Sequence, residues 1–212
     1  MNEGTGTKDG ADMDVRHAAA IIQQARERAR RELQASYPVL FATWGLVWLI
    51  SDGAIWLSVR GQRPYHGPTT APLVALILLM AVGVAVTLVV VGRAVSGVGG
   101  LSALQRRIFL VSLLAGYAGV FTLESALFNA GASWPVIGVY GATAPALMGG
   151  LLLAASSALR LDWTVFGLGI WVIVVAAGAA YAGPVTVWAV EALAGGLALL
   201  LVAAMQLARS RS

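Results

Sequence analysis

The stretch APLVALILLMAVGVAVTLVVVG, residues 71–92, contains no charged side chain, and Thr87 is its only hydroxyl-bearing residue. A helix of about 20 such residues, rising about 1.5 Å per residue, spans a hydrocarbon core of about 30 Å. A membrane strand would alternate apolar and polar positions, whereas this run is apolar throughout, so it predicts a transmembrane helix and not a barrel strand. The rest of the chain is consistent with that. Of its 212 residues, 58% are hydrophobic and 11% charged, with a mean hydropathy of +0.80. Soluble domains carry about 25% charged residues, and a core of this size could not hide so much apolar surface from water. The lipid bilayer is therefore the expected solvent for most of the chain.

Polar breaks divide the remainder. RGQRPYHGPTT, the segment from Arg93 through Arg107, NAGAS at 129–133, RLD at 160–162 and the Gly183–Pro184 turn separate six expected spans, at about 38–59, 71–92, 108–129, 134–158, 163–182 and 185–207. The expected fold class is all-α: a polytopic membrane protein with six transmembrane helices and an N-terminal cytoplasmic amphipathic helix. The expected organisation is a disordered tail over 1–13, an amphipathic helix over 14–37, a six-helix domain over 38–207 and a short tail over 208–212. The polar, glycine-rich opening MNEGTGTKDGADM lacks an apolar period. A charged segment of over thirty residues precedes the first apolar run, which does not read as a signal peptide.

Charge placement sets the orientation. With the N-terminus inside, the inner side collects Lys8, Arg16, Arg26, Arg28, Arg30, Arg31, Arg93, Arg106, Arg107, Arg160, Arg209 and Arg211, and the outer side only Arg60 and Arg63. This positive-inside bias predicts a bacterial inner (cytoplasmic) membrane location with both termini cytoplasmic. Trp56, Trp134, Trp188, Tyr140 and Tyr181 then mark an outer aromatic belt, and Tyr37 and Trp163 an inner one. Before span 1, Val15, Ala18, Ile22, Ala25, Ala29 and Leu33 recur at helical intervals behind an arginine-rich face. Such a helix suits an anionic leaflet surface, a homo-oligomer contact or a membrane-protein partner; the basic run is too short and too mixed for a nucleic-acid arm.

Two constellations stand out inside the spans. In span 4, Gly138, Ala142, Ala146, Gly150, Ala154 and Ala158 recur at every fourth position, a small-residue ridge along which another helix can approach closely. Pro145 sits within it and makes a hinge the alternative reading. The second constellation is acidic. WGLVWLISDGAIW, residues 44–56, places Asp52 in line with Trp44, Trp48 and Trp56, while Glu124 lies in span 3 and Glu191 in span 6. Counting inward from the outer loops, the three carboxylates lie at depths of about 12, 8 and 10 Å. A bare aspartate at a helix centre costs about 2.5–3.5 kcal/mol on insertion scales. No span centre contains a basic residue, so the acids should be protonated, hydrated, cation-bound or turned towards one another. The expected ion- or substrate-binding set is Asp52, Glu124 and Glu191 with Trp48, Trp56, Trp188 and Asn129, the indoles also suiting an organic ammonium. The competing reading hydrates each acid separately near the interface.

No catalytic residues, metal ligands or cofactor are predicted. The chain has no cysteine, and His17 and His66 fall outside the spans on opposite sides of the membrane. No nucleophile elbow or metal-ligand spacing occurs, so an enzyme is not expected. The arginine-rich IIQQARERARRELQ followed by Trp44–Gly45–x–x–Trp48 resembles a group of small, uncharacterised six-span integral membrane proteins of actinobacteria, over the first quarter of the chain. Proteins of that group are sometimes labelled transporters, and the resemblance implies no functional residues. Two functions are expected from these features: a small cation- or proton-coupled transporter or transporter subunit working through the acids, or a scaffold or accessory subunit that assembles through the N-terminal helix and the span 4 ridge.

Overall fold

A computed structural model of the chain describes residues 6–94, 101–158 and 162–209, and all regular structure among them is helical. The elements are α1 (Gly6–Val59), α2 (Thr70–Ala94), α3 (Leu101–Asn129), α4 (Trp134–Ala158), α5 (Trp163–Ala179), a 3₁₀ turn (Ala180–Ala182), α6 (Gly183–Val190), a π-helical segment (Glu191–Gly196) and α7 (Leu197–Arg209). Five stretches are long and apolar enough to cross a membrane: Ser36–Val59, Thr70–Val90, Leu110–Asn129, Trp134–Ser157 and Trp163–Ala208.

Two boundaries differ from expectation. Six separate spans were expected, yet Trp163–Ala208 forms a single 46-residue apolar run because no polar loop divides it. The division is conformational: Gly183 adopts φ 87°, ψ 168°, outside the helical region and open to glycine, and Pro184 starts the next helix. The chain folds back there. Trp171 Nε1 donates to the Ala194 carbonyl at 2.9 Å, whereas on a straight helix residues this far apart would be about 35 Å distant. The second difference is α1, which runs unbroken through Pro38. The expected tail at 1–13 and the expected junction between residues 37 and 38 are both absorbed into it, apart from residues 1–5, which lie outside the described residues. Extending an existing helix needs no new nucleus, and a proline removes one hydrogen bond without obliging the flanking turns to unwind. The side chains of the arginine-rich face also lie outside the described residues, as do Arg160 and Arg211.

Glycines decide which helices meet. α1 packs antiparallel to the final arm: a Cβ on Gly45 would stand 2.9 Å from the Gly196 carbonyl oxygen, and one on Gly196 would stand 3.0 Å from the Leu49 amide nitrogen. α4 and α5 cross as closely, with a Cβ on Gly169 2.6 Å from the Ala154 nitrogen. Gly138, Ala142, Ala146, Gly150 and Ala154 are all buried, so the ridge faces the interior. α4 remains one helix despite Pro145. α2 lies against α1, where the Trp44 ring covers Gly83 and its indole N–H donates to Thr87 Oγ1 at 3.0 Å. α3 packs on α4, with the Tyr140 hydroxyl donating to the Val120 carbonyl at 3.3 Å. No residue of α3's apolar window is buried, which makes α3 a peripheral helix. Two apolar clusters fill the interior: Ile55, Val59, Tyr65, Ala142, Ala179, Val187 and Trp188 at one end, and Phe41, Val165, Leu168, Leu199 and Ala203 at the other. Trp188 is thus a core residue and not part of a lipid-facing belt, whereas Tyr181, Trp163 and Trp134 are exposed.

Candidate functional site

Glu191 opens the π-helical segment and is only 2% exposed. Its Oε1 has no hydrogen-bond partner. A π turn carries an extra residue and shifts the side chains around the axis, a feature frequent at functional sites. Gly195 and Gly196, at the end of the segment, admit the Trp48 ring and the α1 backbone at Leu49. That register brings Asp52, one turn beyond Trp48, to the level of Glu191, one turn before Gly195. Asp52 Oδ1 accepts from Ser51 Oγ at 3.3 Å, but the same hydroxyl donates to the Val47 carbonyl at 2.6 Å. Since one hydrogen serves both, the shorter bond dominates, and Asp52 receives weak support.

Trp188, with Tyr65 packed beside it, lies on the side of Glu191 towards the α1–α2 loop. Trp188 precedes Glu191 by one helical turn and is buried, as is Tyr65. The loop that delivers Tyr65 is pinned by Gln62, whose amide donates to the Gly67 carbonyl at 2.9 Å and whose carbonyl accepts from the His66 N–H at 2.9 Å. Gly138 leaves the space that the phenol ring occupies. The Tyr65 hydroxyl lies beside the Trp188 indole without forming a well-aligned hydrogen bond. Burial pushes its pKa above the usual phenol value, and the indole N–H opposes that shift. Among the described residues, four buried side-chain polar atoms have no partner; three of them, Tyr65 Oη, Trp188 Nε1 and Glu191 Oε1, belong to this one region. The fourth, Gln206 Oε1, is on α7.

The expected binding residues are therefore divided. Asp52, Glu191, Trp48 and Trp188 come together. Trp56 packs against the same apolar cluster, and the exposed Arg60 lies over its ring at 5.6 Å, so this arginine turns outward and does not descend to the acids. Glu124 does not join them. It sits on α3 against Gly141, on a different side of α4 from the core-facing Gly138 and Ala142. Equal depth along three helices says nothing about the direction in which each side chain points, which is why the expected three-acid site resolves into a pair and a separate residue. Gly141 is also the position whose carbonyl loses its helical donor to Pro145, so Glu124 lies at a polar spot on α4. Asn129 is exposed at the end of α3, next to a Schellman turn at positive-φ Gly131, and has no part in the acidic region. Tyr65 was missed from the sequence because it lies in a polar loop between two prolines, where nothing in the pattern points inward.

Two carboxyl groups without a basic partner can bind a proton or another cation. Among the described residues no group of three or more His, Cys, Asp or Glu is placed to hold a metal ion. A shallow apolar groove of about 450 Å³, lined by Pro135, Val136, Val139, Tyr140, Thr143 and Pro184, includes neither acid. Comparison of the chain with protein-family models, with curated proteins and with solved structures finds no match.

Proposed function

We propose that this chain is a six-span protein of a bacterial inner membrane, with both termini cytoplasmic, and that it is a small cation- or proton-coupled carrier or a subunit of one, in line with its resemblance to the actinobacterial group. The observation that carries this reading is Glu191, a fully buried carboxyl with an unpartnered oxygen beside Asp52. Intramembrane acids are costly, and one that keeps a buried oxygen without a hydrogen-bond partner is best explained by a ligand it must bind and release. The fold-back at Gly183 supports six spans, and the arginine distribution supports the orientation. Reconstitution into vesicles enclosing a pH-sensitive dye tests the idea under imposed sodium, potassium or voltage gradients. A gradient-dependent dye response is expected, lost in Glu191→Gln and Asp52→Asn and retained in Glu124→Gln. Folded protein that responds no more than empty vesicles under every gradient would sink the transport reading.

The second reading, an accessory subunit or scaffold, draws on α1. Residues 6–35 continue the first span as a helix of about 45 Å, which would project from the membrane and offer a protein-binding surface. A partner that copurifies from native membranes and is lost on deletion of residues 14–37 would favour it.

A further inference from the structure

We infer that the cation handled by this site is a proton, shared between the Asp52 and Glu191 carboxyls and reached from the α1–α2 loop past the Tyr65 hydroxyl and the Trp188 indole N–H. This rests on the carrier reading and narrows it to one ion. The electrostatic surroundings come first. α4 and α5 contain no charged residue, α2 has only Arg93 in its last turn, and the final arm has none between Glu191 and Arg209. The titratable groups of this region are therefore Asp52, level with Glu191 on α1, and Tyr65 from the loop, which packs with Trp188 one turn before Glu191. Two neighbouring carboxylates in apolar surroundings, with no basic group to offset them, cannot both stay ionised, and one proton between them removes the repulsion.

The alternatives fit less well. A hard metal cation seeks about six oxygen ligands. Here no group of three or more His, Cys, Asp or Glu is assembled among the described residues, and Trp188 presents an N–H, whose positive end repels a metal. An organic ammonium needs volume, but the glycine crossings at Gly45, Gly195 and Gly196 close α1 onto the segment that bears Glu191. A proton needs neither ligands nor space. Binding adds H⁺ to one carboxylate oxygen, and the second carboxylate accepts the new O–H as a hydrogen bond. Release passes the same H⁺ to water arriving from the loop end. The unpartnered atoms suit that route: Glu191 Oε1 only accepts while ionised, Trp188 Nε1 only donates, and the Tyr65 hydroxyl does both. Water entering there would satisfy all three.

Infrared spectroscopy of the full chain in lipid nanodiscs reads this directly through the carboxylic C=O band. At neutral pH the wild type should show a protonated-carboxyl band that disappears in the double variant Asp52→Asn with Glu191→Gln. Its Glu191 component should respond to Asp52→Asn but not to Glu124→Gln. Tyr65→Phe should leave the band's intensity unchanged and slow its shift on transfer to heavy water by tenfold or more. A filling or packing role for Tyr65 would not separate rate from occupancy in this way. The absence of the band in folded wild-type protein, with sodium or potassium binding seen by calorimetry instead, would overturn the proton assignment while leaving a carrier of another cation intact. The band without flux in vesicles would instead remove the carrier reading and keep the proton site. Exchange as fast in Tyr65→Phe as in the wild type would overturn the route.

Discussion

Gly169→Ala adds one methyl group at the point where α5 meets α4. The new Cβ would stand 2.6 Å from the Ala154 nitrogen, 2.8 Å from the Gly150 carbonyl oxygen and 3.0 Å from the Ala154 Cα. All three are backbone atoms, so no side chain can rotate away, and reaching an ordinary contact of 3.4 Å requires the helices to part by 3.4 − 2.6 = 0.8 Å. Overpacking of this kind costs about 1–3 kcal/mol. Alanine also favours helix over glycine by up to about 1 kcal/mol, which opposes that cost. Gly167→Ala isolates the second effect: it lies on the same helix, is exposed and has nothing within 4 Å of its Cβ position. The difference between the two variants should therefore equal the overpacking cost, about 1–3 kcal/mol or roughly 5- to 150-fold in the unfolding equilibrium. Reversible unfolding in mixed micelles, followed by tryptophan fluorescence, measures it. Gly169→Ala as stable as Gly167→Ala would show that α4 and α5 do not cross at Gly150 and Gly169, and the buried ridge would lose its partner.

The fold-back at Gly183 has a topological test. The native chain has no cysteine, so single cysteines report cleanly. An impermeant thiol reagent applied to intact cells should label Arg63→Cys, Ser133→Cys and Tyr181→Cys, but not Ser102→Cys; protection of Tyr181→Cys would refute the six-span orientation. Trp171→Phe removes the indole that links the two arms after residue 163, and should lower stability by about 0.5–1.5 kcal/mol in the same unfolding assay. A neutral result would mean that the arms do not depend on this bond. Asp162→Ala removes the side chain that accepts from the Thr164 and Val165 amides at 3.0 and 3.2 Å, and about 1 kcal/mol should be lost, whereas Asp162→Asn should keep most of it.

The separation of Glu124 from the other acids illustrates how much of the site could be read in advance. Helical spacing and the distance from each loop place Asp52, Glu124 and Glu191 at similar depth, and that argument needs only the rise per residue. It cannot fix azimuth, because the direction of a side chain around a membrane bundle depends on which helices are neighbours. In hydrocarbon, apolar side chains suit lipid as well as they suit protein, so hydrophobic periodicity does not mark the buried face. Small residues do carry that information. Gly150 and Ala154 of the four-residue ridge, and Gly196 of the glycine pair, lie where the backbone of one helix meets that of another.

The amino-acid sequence by itself determined that this chain is helical and built for a bilayer, because unbroken apolar runs must satisfy their backbone hydrogen bonds internally. It also marked where three carboxyl groups enter that environment. Only the tertiary structure decided that Asp52 lies level with Glu191 and apart from Glu124, that Tyr65 turns inward from its loop onto Trp188, and that Trp188 is core. Those outcomes follow from which backbones can come close, and that depends on a glycine on one helix finding a glycine or a ring on another. Such a match exists only between helices, so no single segment of the sequence contains it.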